Sequence, residues 1–235
     1  MKLRFLAINI ILISILGDLI VMSEIFSDKE AKAEKIEDIQ LPTPVSKGKM
    51  SLEEVIKKRR SKRSFEDKSL TLEQVSQVLW AAQGITEEGG FKRATPSAGA
   101  LYPLEIYLVV RKVKGIESGV YQYHPTNHAL NLILKGDRQN SLAKACLAQM
   151  FIADAPLSIV ITAEYERTTG KYGERGIRYV HMEAGHVGQN ICLQAVALGL
   201  GTVPIGAFRD DEVLRVLNLP EERKPLYVFP IGYSG

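Results

Sequence analysis

Leu72, Val75, Val78, Leu79 and Ala82 recur at three- and four-residue intervals, the spacing of one helical face. Thr71 and Gln74 stand in a capping-box pattern at its start, and Gly84 marks its end. Ser51 and Glu54 repeat the pattern ahead of Leu52, Val55 and Ile56, which predicts a second helix. A stripe of Val180, Ala184, Val187, Ile191, Ala195 and Leu198 predicts a long helix over about 177–198. Shorter helices are expected over 141–150 and from an Asp210 cap to about Asn218. The unbroken apolar runs LEIYLVVR (104–111), PLSIVITAEY (156–165) and PLYVFPIGY read as buried strands. VYQYHPTNHALNLIL (120–134) reads as a hairpin turning near Pro125–Asn127, and TVPIGAF as a short extended piece. Helices and strands mix without a regular alternation. This predicts an α+β fold, one domain with a central mixed sheet flanked by helices.

The first 49 residues follow a different pattern. Lys2 and Arg4 precede the apolar run FLAINIILISILGDLIVM, so residues 1–26 read as a signal peptide or N-terminal membrane anchor. Asp18 lies near the far end of the run, where its cost is below the roughly 2.5–3.5 kcal/mol of a mid-membrane Asp. The charge bias places the rest of the chain outside the cytoplasm, exported or membrane-anchored. Residues 27–49, charged and then rich in Pro and Lys, read as a linker to a folded domain at 50–235. Net charge is only +3, which does not support nucleic-acid binding on charge alone. Cys146 and Cys192 sit in apolar helix-like stretches and read as small buried residues.

Known chemical motifs are mostly missing. No G-x-G-x-x-G follows a strand, and TTGKYG lacks the phosphate-loop spacing. The histidines of HMEAGH are five residues apart, about 140° around a helix, so they do not converge on a metal. The run KKRRSKRSF concentrates cations after the first helix. Those cations either complement the negative helix end or bind an anion such as phosphate.

Four segments in order resemble the nitroreductase family, in particular its SagB-type branch of FMN-dependent dehydrogenases. They are KKRRSKRSF, TPSAGALYPLEIYLVV, ERTTGKYGERGIRYVHMEAGHVGQN and ALGLGTVPIGAF, and the likeness covers 51–233. The resemblance implies that Arg59, Arg60, Ser61 and Arg63 hold the FMN phosphate. It implies that Pro96, Ser97, Ala98 and Gly99 lie along the flavin ring. It also implies that Pro204, Ile205, Gly206 and Ala207 turn a backbone N–H toward flavin N5. Many members carry Glu-Gly where this chain has Gly206-Ala207, so a carboxylate role is lost there while a backbone role survives. Lys171 and Tyr172 match a pair implicated in proton removal in azoline dehydrogenases of the branch. They are expected in a loop between Gly170 and Gly173. Classical members continue with a tail that adds phosphate ligands; here Arg175 or Arg178 would take that part.

The resemblance therefore implies an FMN-dependent oxidoreductase with a small-molecule substrate and NAD(P)H as the candidate electron donor. The site would lie at the interface of a homodimer, with no nucleic-acid partner and a membrane contact only through the N-terminal segment. The alternative is a membrane-anchored flavin- or ligand-binding module without catalysis.

Overall fold

A computed structural model describes residues 38–87 and 89–234, which form one folded unit. The signal or anchor segment lies outside the described residues. Among the described residues no helix is long and apolar enough to cross a membrane.

Seven strands build one sheet in the order β1-β4-β3-β2-β5-β7-β6. They are β1 (Ile39–Gln40), β2 (Leu104–Val110), β3 (Gly119–His124), β4 (Ala129–Lys135), β5 (Leu157–Ala163), β6 (Gly201–Thr202) and β7 (Lys224–Gly232). All ladders between these strands are antiparallel. The mixed character expected of the sheet is confined to single parallel bridges, Ser61 with Thr202 and Leu70 with Val113.

Helices cover both faces of the sheet. On one side α2 (Leu72–Gln83) and α6 (Arg175–Ala197) pack on Ile106, Leu108, Ile159, Ile161, Phe229 and Ile231. On the other, α3 (Gln139–Ala145), the single turn α4 (Phe151–Asp154) and α7 (Asp210–Leu217) pack on Tyr107, Val109, Val160 and Val228. Every residue of β5 is buried, because alternate side chains enter the two cores. This is the physical origin of its largely apolar run, in which Ser158 and Thr162 are buried as well. Helix α6 lies close on the sheet: a Cβ at Gly188 would stand 2.8 Å from the Phe229 ring.

Both capping boxes leave their mark. Ser51 accepts from the Glu54 amide ahead of α1 (Leu52–Lys58). Thr71 and Gln74 cap α2 reciprocally. Only Val55 of α1 is buried; Leu52 and Ile56, read as part of an apolar face, are exposed. The helix expected to reach Met150 ends at Ala145, because Leu147 and Ala148 take positive φ. Cys146 and Cys192 are buried thiols, and burial pushes their pKa values up to about 12 and about 11.

Residues 38–49, assigned from sequence to a linker, are instead docked on the domain. Ile39 and Gln40 add an edge strand to β4, and Leu41 is buried. The Gln77 side chain, itself buried, receives the Val45 amide (2.8 Å) and donates to the Val45 carbonyl (3.1 Å). Nearby, His128 Nδ1 meets the Tyr123 hydroxyl at 2.9 Å. Its Nε2 meets Ser76 Oγ at 2.7 Å and the Pro42 carbonyl at 3.2 Å. No hydrophobic period could announce a strap held by polar groups from distant elements.

Burial lowers the His128 pKa, against a weaker upward pull from the Pro42 carbonyl. The unfolded chain therefore binds more protons, and this contribution to stability is full above the unfolded value of about 6.5 and is lost as pH falls through the folded value. Thermal unfolding followed between pH 7 and 5 is expected to show a steeper loss of midpoint for the native chain than for His128→Gln. Parallel curves would show that the ring does not couple the strap to pH.

Candidate functional site

Two clusters of the sequence-assigned residues form, and α6 runs past both. The first centres on the cationic run. Ser61 bridges Thr202, and the Lys62 amide donates to the Thr202 carbonyl at 3.0 Å. This sets the run beside β6, directly ahead of Pro204–Ala207. Gly201 permits the approach: a Cβ there would stand 2.9 Å from the Lys62 Cβ. Ile205 pairs with Val228 through two 2.9 Å backbone bonds, whereas Pro204, Gly206 and Ala207 are exposed. Extended backbone is thus fixed on β7 while its small residues face outward.

Among the described residues, Arg59, Arg60 and Arg63 have no carboxylate partner. Arg60 donates to the Lys57 and Arg59 carbonyls at 2.9 and 2.7 Å, so it caps the end of α1. The helix-end alternative holds for that residue. Arg59 is half-buried, and its charge reaches Cys192 on α6, where it offsets part of the upward push of burial on the thiol. Thr202 Oγ1 is buried without a hydrogen-bond partner. Two guanidinium groups without carboxylates, an exposed Ser61 hydroxyl and an orphaned Thr202 hydroxyl are a donor set suited to a phosphate. Arg175, expected from the resemblance as a further phosphate ligand, lies 5.8 Å from the Tyr179 ring.

The second cluster centres on a tight turn. Gly99, Ala100 and Tyr102 have φ of 63°, 53° and 46°. Ser97 Oγ accepts the Tyr102 amide at 2.9 Å, and the Ala100 amide returns to the Ser97 carbonyl at 3.1 Å. The Tyr102 carbonyl accepts from Arg167 at 3.1 Å, and its hydroxyl donates to the Phe91 carbonyl at 2.6 Å. The Arg93 guanidinium lies 4.1 Å over its ring. Arg167 is held in turn by Glu105 and Glu164, each at 2.6 Å.

Lys171 and Tyr172 come against this turn. A Cβ at Gly99 would stand 2.8 Å from the Tyr172 hydroxyl and 3.0 Å from Lys171 Nζ. Glycine suits the position by its φ, and the space it leaves receives the ends of these two side chains. The pair does not lie in a loop, as expected from its flanking glycines. It ends α5 (Glu166–Tyr172), a short helix closed by Gly173 at φ 57°, ψ −150°. Two threonines and Gly170 give this segment weak helix propensity. Packing supplies what propensity lacks: Thr168 is buried, and Gly176 of α6 lies where a Cβ would stand 2.9 Å from the Thr169 backbone. Tyr172 also stacks edge-on against Tyr179.

Sequence reasoning passed over Glu183. It is buried on α6, and its carboxylate accepts from the Gln83 side-chain amide at 3.4 Å. Burial raises its pKa, an effect that neighbouring donors such as Gln83 and the Arg93 charge offset only in part. A Glu inside HMEAGH reads as an ordinary polar helix position, and only the three-residue offset from Val180 placed it on the inward side. His181, by contrast, is exposed and meets the Tyr165 hydroxyl at 2.6 Å.

The Nitroreductase family model matches residues 56–233. The Methanocaldococcus jannaschii protein MJ1384, named as a nitroreductase, is 52% identical over 195 residues, covering 83% of this chain and 96% of its own length. The Microcin B17-processing protein McbC of Escherichia coli is 28% identical over 164 residues, or 67% of this chain and 60% of McbC. A crystal structure from Anabaena variabilis, titled as a nitroreductase, superposes with a TM-score of 0.76 at 30% identity, covering 86% of this chain and 42% of that one. The fold, the ordered segments and the family match agree, and the chain belongs to the nitroreductase family of oxidoreductases.

Proposed function

We propose that this chain is an FMN-dependent oxidoreductase of the SagB-type dehydrogenase branch. The observation that carries the reading is the seat of Lys171 and Tyr172 against Gly99. Segments about 70 residues apart in sequence, which the resemblance links to proton transfer and to the flavin ring, meet at one turn. The likeness to McbC, whose name assigns it to microcin processing, supports the same branch.

Arg59, Arg63 and Ser61 would hold the phosphate, with Thr202 beside them. Within Pro96–Gly99 and Pro204–Ala207, the exposed Gly99, Gly206 and Ala207 are small enough to let backbone approach a flat ring. Bound FMN supplies the hydride acceptor and donor; the protein supplies orientation and proton handling. Lys171 Nζ is placed to take a proton from a small-molecule substrate, and the Tyr172 hydroxyl to orient or relay it. NAD(P)H is the proposed electron donor. A homodimer is proposed as well, because Leu52 and Ile56 on α1 and Ile177 and Met182 on α6 are exposed apolar side chains on neighbouring helices. Export or anchoring through residues 1–26 remains part of the proposal.

The full chain is expected to purify yellow as a dimer. Arg59→Ala with Arg63→Ala should then lose FMN, since the phosphate loses two charge-assisted partners, while affinity for riboflavin, which has no phosphate, changes little. Equal FMN occupancy in the double variant would refute the phosphate assignment, and a monodisperse monomer holding FMN would refute the dimer.

Lys171→Ala and Tyr172→Phe are expected to keep FMN occupancy and melting temperature. Turnover of substrates that must lose a proton should fall by about 10²–10⁴-fold, the usual contribution of a general base. Reduction of a quinone should be nearly unchanged. Native rates on every substrate would mean that the pair only shapes the surface.

A further inference from the structure

We infer that Arg167 is a positioning residue: its guanidinium clamps helix α5 to the exit of the Ser97–Tyr102 turn and so seats Lys171 and Tyr172 against Gly99. The inference rests on the proposed role of that pair in proton transfer, but the clamp itself is tested without it.

Helix α5 depends on an external hold. It has seven residues, two threonines and a glycine among them, and no side chain among the described residues caps its start. Isolated helices shorter than about 12–15 residues are marginal in water. The Glu164 amide donates to the Pro103 carbonyl at 2.9 Å, so the chain leaving β5 lies beside the chain entering β2. Arg167 spans that junction. One terminal nitrogen donates to the Tyr102 carbonyl at 3.1 Å. The other meets Glu105, the second residue of β2, and Glu164, each at 2.6 Å. A guanidinium is a rigid planar fork, so these bonds fix the direction in which α5 leaves the sheet.

The pair is carried on the same helix face. Arg167 and Lys171 are four residues apart, about 6 Å along the axis and on one side of the helix. Arg167 reaches the last residue of the turn, while Lys171 Nζ and the Tyr172 hydroxyl lie at the open side of Gly99. Two attachments to one turn leave α5 little freedom to rotate about its axis or to swing away. The carboxylates are themselves held: Gln122 on β3 donates to Glu105 at 3.1 Å, and Arg223, directly ahead of β7, to Glu164 at 2.8 Å. Arg223 thus shares a carboxylate with Arg167, yet among the described residues it bonds neither α5 nor the turn. A lysine at 167 would keep the charge but lose the fork that reaches a carbonyl and two carboxylates at once.

Hydrogen exchange in the full chain tests the clamp without any bound flavin. In Arg167→Lys, the Thr169 and Gly173 amides, which bond within and close α5, should exchange about 10-fold faster, the low end of losing bonds to charged groups because the site is partly exposed. Arg167→Gln should show the same pattern. The core amide of Val187 on α6 should keep its native rate. Arg223→Lys, which disturbs the same carboxylate, should leave both α5 amides near native. In flavin-loaded protein, Arg167→Lys should lower kcat about 10–100-fold for substrates that must lose a proton, the usual consequence of a small misplacement, with KM and quinone reduction nearly unchanged. Native exchange at Thr169 and Gly173 in both Arg167 variants would overturn the inference; so would equal acceleration at Val187, or the same acceleration in Arg223→Lys. Lys171→Ala, measured alongside, separates the two readings. If it slows proton-requiring turnover while Arg167→Lys does not, the clamp has no bearing on the pair and the inference falls. If neither slows it, the proton role of the pair falls, and faster exchange confined to α5 still supports the clamp.

Discussion

A turn that the backbone disfavours must be held shut for this site to exist. Between Ser97 and Tyr102 three residues enter the left-handed region, and two of them carry a Cβ. The local cost is a few kcal/mol by the usual penalty of roughly 1–2 kcal/mol per L-residue. Polar contacts from three directions oppose it: Ser97 from within, Arg167 from α5, and the Phe91 carbonyl from the preceding loop. What the strain produces is a small, exposed surface with one missing Cβ, and the Lys171–Tyr172 pair occupies that gap.

Helix α6 carries this arrangement across the domain. Its apolar stripe, Val180 to Ala195, is pressed on the sheet closely enough that Gly188 has room for no side chain beside Phe229. Along the same helix, buried Glu183 accepts from Gln83, and Cys192 lies within reach of the charge of Arg59. These two positions are nine residues apart, roughly 13 Å of helix axis. Neither cluster could shift without moving a helix whose core face has no slack. The sheet and α6 thus serve as scaffold, and the candidate site residues sit on connecting segments and on the end of the short helix α5.

Much of the scaffold was legible because hydrophobic periodicity records burial directly. Both cores meet in β5, so its seven residues, five of them apolar, read as a buried strand. The capping residues Ser51, Thr71 and Gln74 acted as read, since capping is a local hydrogen bond. Elements fixed by distant polar contacts were not legible. The strap at 38–49 depends on Gln77 and His128, which lie far along the chain. Helix α5 depends on the close approach of Gly176 rather than on its own propensity. Glu183 carried no signal, because a buried and an exposed glutamate look alike in a helical pattern. The motif residues of the site were legible only through resemblance. Their chemistry suited phosphate and proton transfer, but their meeting at Gly99 required the fold.

The central claim is that these clusters serve a flavin that exchanges electron pairs with small molecules. Its most direct test is anaerobic titration of the purified full chain with NADH or NADPH, followed by visible absorbance. The account predicts a flavin band that an equimolar donor bleaches in a two-electron step and that a quinone restores. A protein with no flavin band after incubation with FMN, or a bound flavin that neither the nicotinamides nor dithionite can reduce, would contradict it.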